Sequence, residues 1–229
     1  MPTSISKYQV ATAIAVLFHA VGFAGIVFFK SDTILKATPL NLLLMFGLLI
    51  WTQREKNIFF WLFALLAIAI GIGVEMIGVN TKLFFGDYSY GDVLGYKVNN
   101  VPLIIGVNWF IIIYCCGISI HTLLMRAINK VSAETDTAPM TLKALSVIID
   151  GATLAVLFDW LMEPVAVQLG YWKWVGDIPF YNYLCWFVVA VALLALFHFC
   201  RFNKQNKFAV HLLMIQVMFF LLLKTFFNN

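Results

Sequence analysis

The sequence predicts an all-α fold, a polytopic transmembrane helical bundle of about seven spans, on three observations. The 229-residue chain is 62% hydrophobic and only 11% charged, a balance outside the range of a water-soluble domain. Its apolar runs approach the ~20 residues that a helix needs to cross a hydrocarbon layer ~30 Å thick. Its polar residues cluster in breaks between the runs, as expected where backbone groups cannot turn to water and must bond within helices.

Taken in order, the first run, Tyr8–Phe29, carries a Lys7 flank but is too long for the apolar region of a signal peptide and lacks a small-residue cleavage site, so it is expected to stay attached. The second, Thr33–Thr52, contains Lys36, Pro39 and Asn41, and is the run expected to fall short of a full crossing. The third is Ile58–Val79. The fourth, Val101–Met125, opens on Pro102, where a missing N–H costs a helix nothing. The fifth, Leu142–Val167, is the most acidic; the sixth, Ile178–Cys200, opens on Pro179; the seventh is Phe208–Phe227. The whole chain, 1–229, reads as a single integral-membrane domain.

Charge sets an orientation. With the N-terminus inside, the cytoplasmic loops hold Lys7, Arg54, Lys56, Arg126, Lys130, Lys143, Arg201, Lys204 and Lys207, nine against six elsewhere. The N-terminus is therefore expected in the cytoplasm and the C-terminus outside, with the loops GDYSYG and GYWKW sharing the outer side. Lys and Arg lie singly between apolar runs and the net charge is only +4, so no basic face for nucleic acid can be assembled.

Four acids fall within the spans: Glu75, Asp150, Asp159 and Glu163. A carboxylate at bilayer depth is costly unless it is neutral, paired or in a wet cavity, so each marks a candidate site. Asp159 and Glu163 are one helical turn apart on one face, whereas Asp150 points to the opposite side. Glu75 lies near the outer end of its own span, so it shares a depth with Asp159 and Glu163. Pro164 cannot donate to the carbonyl of Trp160, which leaves a polar group beside the acids in need of a partner.

The chain also repeats a pattern around these acids, over 58–125 and 142–200. Glu75 precedes GDYSYG and VPLIIGVNWF; Glu163 precedes GYWKWVG and IPFYNYLCWF. Pro102 and Trp109 are seven apart, as are Pro179 and Trp186. Internal repeats in membrane proteins place sites at the interface of their copies.

Other chemistries lack their residues. GIGVEMIG, from Gly71 to Gly78, sits in an apolar helix with no preceding strand and reads as small-residue helix packing, not a dinucleotide loop. His19, His121, His198 and His211 are scattered without the pairing of a di-iron site, and Cys115, Cys116, Cys185 and Cys200 have no zinc spacing. No mid-span lysine in the last run could form a retinal Schiff base, since Lys224 lies near its end. Neither cofactor nor metal is expected.

The motifs resemble those of the integral-membrane carotenoid biosynthesis family, whose characterised members include carotenoid hydratases of the bisanhydrobacterioruberin and γ-carotene type. They are Gly86, Tyr88 and Tyr90; Val101, Pro102 and Leu103 ahead of Trp109; Glu163 before Pro164, where Asp is more usual; Gly170, Trp172 and Trp174; and Ile178, Pro179, Asn182 and Trp186. The resemblance covers the third to sixth spans. It implies addition of water across the terminal C=C of an acyclic carotenoid end, of lycopene or γ-carotene type, giving a tertiary alcohol in the cytoplasmic membrane of a prokaryote.

On that reading Glu75, Asp159 and Glu163 are catalytic, with Asp159 or Glu163 as the acid and Glu75 with Asn182 orienting water. A carboxyl in apolar surroundings stays protonated near neutral pH and has a proton to give. Tyr88, Tyr90, Asn108, Trp109, Trp172, Trp174, Asn182 and Trp186 line the substrate site, where aromatic faces stabilise a cation by about 0.5–2 kcal/mol each. The partners are an isoprenoid lipid substrate and membrane lipid. The runner-up activities are a membrane lycopene cyclase, disfavoured because Pro102 and Pro179 are not followed directly by acids, and a non-catalytic carotenoid or lipid binder.

Overall fold

The computed structural model describes residues 5–131 and 140–227. Its helices are α1 (Lys7–Val27), α2 (Asp32–Lys36), α3 (Thr38–Thr52), α4 (Ile58–Thr81), α5 (Ile104–Val131), α6 (Met140–Gln168), α7 (Phe180–Phe199) and α8 (Lys207–Phe227), with short strands β1 (Tyr88–Tyr90), β2 (Lys97–Val98), β3 (Val101–Pro102) and β4 (Trp172–Trp174). Among the described residues, six helices are long and apolar enough to cross a membrane. The polytopic helical bundle is as expected. The side chains of 129–131 and 140–142, Lys130 and Leu142 included, lie outside the described residues.

The second run is corrected. It breaks at Ala37, which closes α2 and opens α3, and Pro39 sits in the first turn of α3. Lys36 therefore ends a short helix and does not enter the crossing. The 15 residues of α3 give a rise of about 22 Å, short of a full hydrocarbon thickness. Even so, α3 joins the two ends of the bundle. At its start the Thr38 hydroxyl lies 2.9 Å from that of Tyr171, and at its end Gln53 Nε2 donates to the Asn203 carbonyl at 2.7 Å.

At the latter end the loop Gln53–Asn57 meets the loop between α7 and α8: Arg54 donates to Gln205 at 3.3 Å and Asn57 to the Arg201 carbonyl at 2.8 Å. Lys7 reaches the Trp51 carbonyl there. Buried Asn206 donates to Thr52 and Tyr114, each at 3.1 Å, and to the Leu49 carbonyl, while Tyr114 donates to Gln53. Most of the cations assigned to the inner side thus share one end of the bundle. Lys82 and Lys97 pair with Asp87 and Asp92 at the other.

Helix α5 is the axis, packed by α3, α4, α6, α7 and α8, with Phe110 to Cys116 wholly buried. Gly71 lets α4 approach it: a Cβ there would stand 2.5 Å from Trp109 Cβ, so the GIGVEMIG segment is a close-packing surface.

The strands were not anticipated. YSY and WKW alternate with period two, and β1 pairs antiparallel with β4 in the register Tyr88 to Trp174, Ser89 to Lys173 and Tyr90 to Trp172. The ladder ends where Gly91 N–H donates to the Tyr171 carbonyl at 2.8 Å, a crossing so tight that a Cβ on Gly91 would lie 2.1 Å from the Gly170 oxygen.

Candidate active site

The aromatic end of the bundle is built around its acids. Glu75, on α4, is buried and holds both oxygens against donors: Oε2 accepts from the hydroxyls of Tyr88 at 2.5 Å and Tyr90 at 2.7 Å, and Oε1 from Trp109 Nε1 at 3.0 Å. Burial, and then the charge of Glu75, push both phenols far above their ordinary range, so they stay O–H donors. Glu163, on α6, accepts on a single oxygen, Oε1, from the indoles of Trp172 at 2.6 Å and of Trp174. The two carboxyls are thus held by residues i and i+2 of strands that pair with each other.

Asp159, one turn before Glu163, is different. It is fully buried, yet among the described residues only Asn182 Nδ2 donates to it, at 3.3 Å, and its Oδ1 has no partner. A buried carboxyl oxygen without a donor is rare and calls for an explanation in function. Asp150 stands apart, exposed on the other side of α6 and bonded to Ser146. Helix α6 continues through Pro164 to Gln168.

All eleven residues singled out in the sequence line one cavity of about 30 Å³: Glu75, Tyr88, Tyr90, Asn108, Trp109, Asp159, Glu163, Trp172, Trp174, Asn182 and Trp186. That is enough for a water molecule in a polar setting. Trp109 and Trp186 stack at 3.9 Å and 13°, Tyr88 lies 4.9 Å from Trp174, and Tyr90 meets Trp172 edge-on at 5.9 Å. Phe85, Ile105 and Met162, unremarkable in sequence, complete the wall.

Beside it lies a second cavity of about 330 Å³, within the size range of small-molecule sites. Ile105, Asn108, Met162 and Trp172 line both, so the two adjoin. Its walls are mostly apolar and come from α1, the α2–α3 junction, α5, α6 and α8. The contribution of α1 and α8 was missed in the sequence. The available signal was a polar residue deep within each apolar run: His19 in α1 and Gln216 in α8.

A bundle of apolar helices that sets three buried carboxyls in an aromatic cage beside an apolar chamber defines an integral-membrane protein. The chain belongs to the carotenoid biosynthesis protein family, whose model matches residues 36–229. That match extends past the third to sixth spans, in which the motifs lie, to include α3 and α8. The chain is also similar to bisanhydrobacterioruberin hydratase of Haloarcula japonica, 28% identical over 142 residues, which are 59% of this chain and 44% of that protein. It thus spans less than half the length of that relative. No solved structure matches.

Proposed function

We propose that the protein is a carotenoid hydratase that adds water across the terminal C=C of an acyclic end group, with Asp159 as general acid. The observation that carries this reading is the donor-free Asp159 Oδ1 inside a cavity the size of a water molecule, next to an apolar chamber. Glu75, with both oxygens facing protein donors, three in all, is suited to be an anion, since charge-assisted bonds to a carboxylate are the strong ones. Asp159, lacking such donors, is suited to carry the proton.

In this mechanism the chain end enters from the chamber past Asn108. The π electrons of the terminal double bond take the Asp159 proton at the less substituted carbon, leaving a tertiary cation and an aspartate. The faces of Trp174, Tyr88 and the Trp109–Trp186 stack stabilise the cation by about 0.5–2 kcal/mol each. Water forms the C–O bond, and its released proton passes to a carboxylate, Glu163 being one turn away, and so back to Asp159. The sum is one water added, with no redox change. Glu75 was expected to orient the water with Asn182; here its oxygens are engaged by protein, so it supplies charge and holds the cage, while Asn182 sets Asp159.

A cyclase would begin with the same protonation. The water-sized polar space beside the acid favours capture by water. The test is product analysis in cells that make lycopene or γ-carotene: the expected product is heavier by one water and bears a tertiary alcohol. A cyclised isomer of unchanged mass would replace this reading with a cyclase, and unchanged pigment that co-purifies with the protein would replace it with a carrier.

A further inference from the structure

The larger cavity is not uniformly apolar. Six polar side chains line it: Thr38 and Tyr171, whose hydroxyls bond each other at 2.9 Å, Asn108, shared with the acid cavity, and His19 of α1, Asn41 of α3 and Gln216 of α8. His19 and Gln216 are only 8% and 5% exposed. His19 Nδ1 lies 2.8 Å from the Ala15 carbonyl, which can only accept, so Nδ1 carries the hydrogen and the neutral ring leaves Nε2 as an acceptor. Among the described residues Nε2 has no hydrogen-bond partner. Asn41 Oδ1 and Gln216 Oε1 are buried and, among the described residues, have no donor.

Buried polar groups in native proteins are almost always satisfied, and two buried oxygens without a donor, with the ring nitrogen of His19 on the same cavity, mark the place of a missing donor. A hydrocarbon chain filling the cavity would supply none. An ether or ketone oxygen only accepts. Rotating the two carboxamides would turn N–H groups toward the cavity in place of oxygens, and these would need an acceptor that a hydrocarbon lacks. The group that fits carries an O–H, which donates to one acceptor and accepts from a rotated carboxamide.

We infer that the cavity binds its isoprenoid chain together with one hydroxyl function seated against His19, Asn41 and Gln216. This rests on the reading of the acid cavity as the place where the chain end reacts. The hydroxyl is either part of the chain, making the substrate an already oxygenated isoprenoid, or a water held beside it. Because the two cavities share Asn108 and Met162, the hydroxyl sits near the end of the chain that reacts.

The test uses the full chain in membranes, with two acyclic carotenoids that differ by one hydroxyl near the reacting end, and the variants Gln216→Met and Asn41→Leu. If the chain carries the hydroxyl, the wild type turns over the hydroxylated substrate at least about tenfold better in kcat/KM, and each variant erases that preference, losing more on the hydroxylated substrate than on the hydrocarbon. If water fills the station, there is no preference and each variant slows both substrates by about the same factor. Rates and preference that stay at wild-type values in both variants, at normal protein levels, overturn the inference. Pigment retention on the purified protein gives a second readout that does not need turnover. Should the wild type make no hydrated product yet retain the hydroxylated pigment preferentially, and the variants lose that preference, the inference stands and the hydratase reading falls. Should either variant fail to accumulate, the other, with Gln216→Glu as a variant that keeps an acceptor, decides the question: equal pigment retention by the polar and the apolar replacement overturns it.

Discussion

Adding a single methyl group at Gly71 should damage the site from one full turn away. An alanine Cβ at that position would stand 2.5, 2.6 and 2.9 Å from Trp109 Cβ, Cγ and Cδ1, whereas ordinary contact begins at 3.4 Å, so the indole must retreat by about 0.9 Å. Trp109 has little freedom to do so, being 1% exposed and stacked on Trp186 at 3.9 Å. A retreat of that size along the bond would lengthen the Trp109–Glu75 hydrogen bond from 3.0 Å to about 3.9 Å, beyond hydrogen-bond range. Overpacking of this kind costs about 1–3 kcal/mol, and an ångström of misplacement costs up to about 10²-fold in rate. At Gly73, two residues on, an added Cβ would meet nothing within 4 Å, so this position serves as the matched control. The assays are the thermal midpoint of the purified protein in detergent and the hydrated fraction of the carotenoid pool. Gly71→Ala should fall in both, and Gly73→Ala in neither. Equal behaviour of the two variants would refute the claim that α4 and α5 are fitted through Trp109.

Amide replacements test the acids: Asp159→Asn should lower hydration by about 10²–10⁴ at normal protein levels, Glu163→Gln and Glu75→Gln should also be severe, and exposed Asp150→Asn should be mild, as read by product yield. Tyr90→Phe removes one of the three donors to Glu75 and should cost about 1–3 kcal/mol of stability, measured as a lowered thermal midpoint. At the far end, Asn206→Leu breaks bonds to Leu49, Thr52 and Tyr114 and should lower stability by a similar amount while turnover per folded molecule is preserved. Because α3 joins the two ends, the described helices traverse the bundle seven times, so reporters fused before Ser6 and after Phe227 should read opposite sides, the second of them the outer side.

Much of this was legible because lipid makes polar residues conspicuous. Glu75, Asp159 and Glu163 stand out in apolar runs, and helical spacing alone separates Asp150 from the other two on α6. Tyr88, Tyr90, Trp172 and Trp174 were visible as paired loop motifs, but their conversion into strands was not, because a three-residue strand is defined by its partner and the partner lies over 80 positions away. Lys36, Pro39 and Asn41 marked a weak stretch around Ala37, but not the residue at which one helix stops and the next begins. His19, Asn41 and Gln216 were legible only as isolated polar residues; that they face one space depends on how α1, α3 and α8 close together, which no local pattern encodes.

The ribbon of β1 and β4 has a mechanical meaning. Tyr90 and Trp172 sit opposite each other in the ladder, as do Tyr88 and Trp174, and each pair joins a donor of Glu75 to a donor of Glu163. The two acids are therefore tied to one ribbon. A displacement of Trp172 from Glu163 would strain the pairing that holds Tyr90 on Glu75, whereas Trp109, on α5, keeps its own bond to Glu75, so the two sites are coupled through the ladder but anchored separately to the bundle.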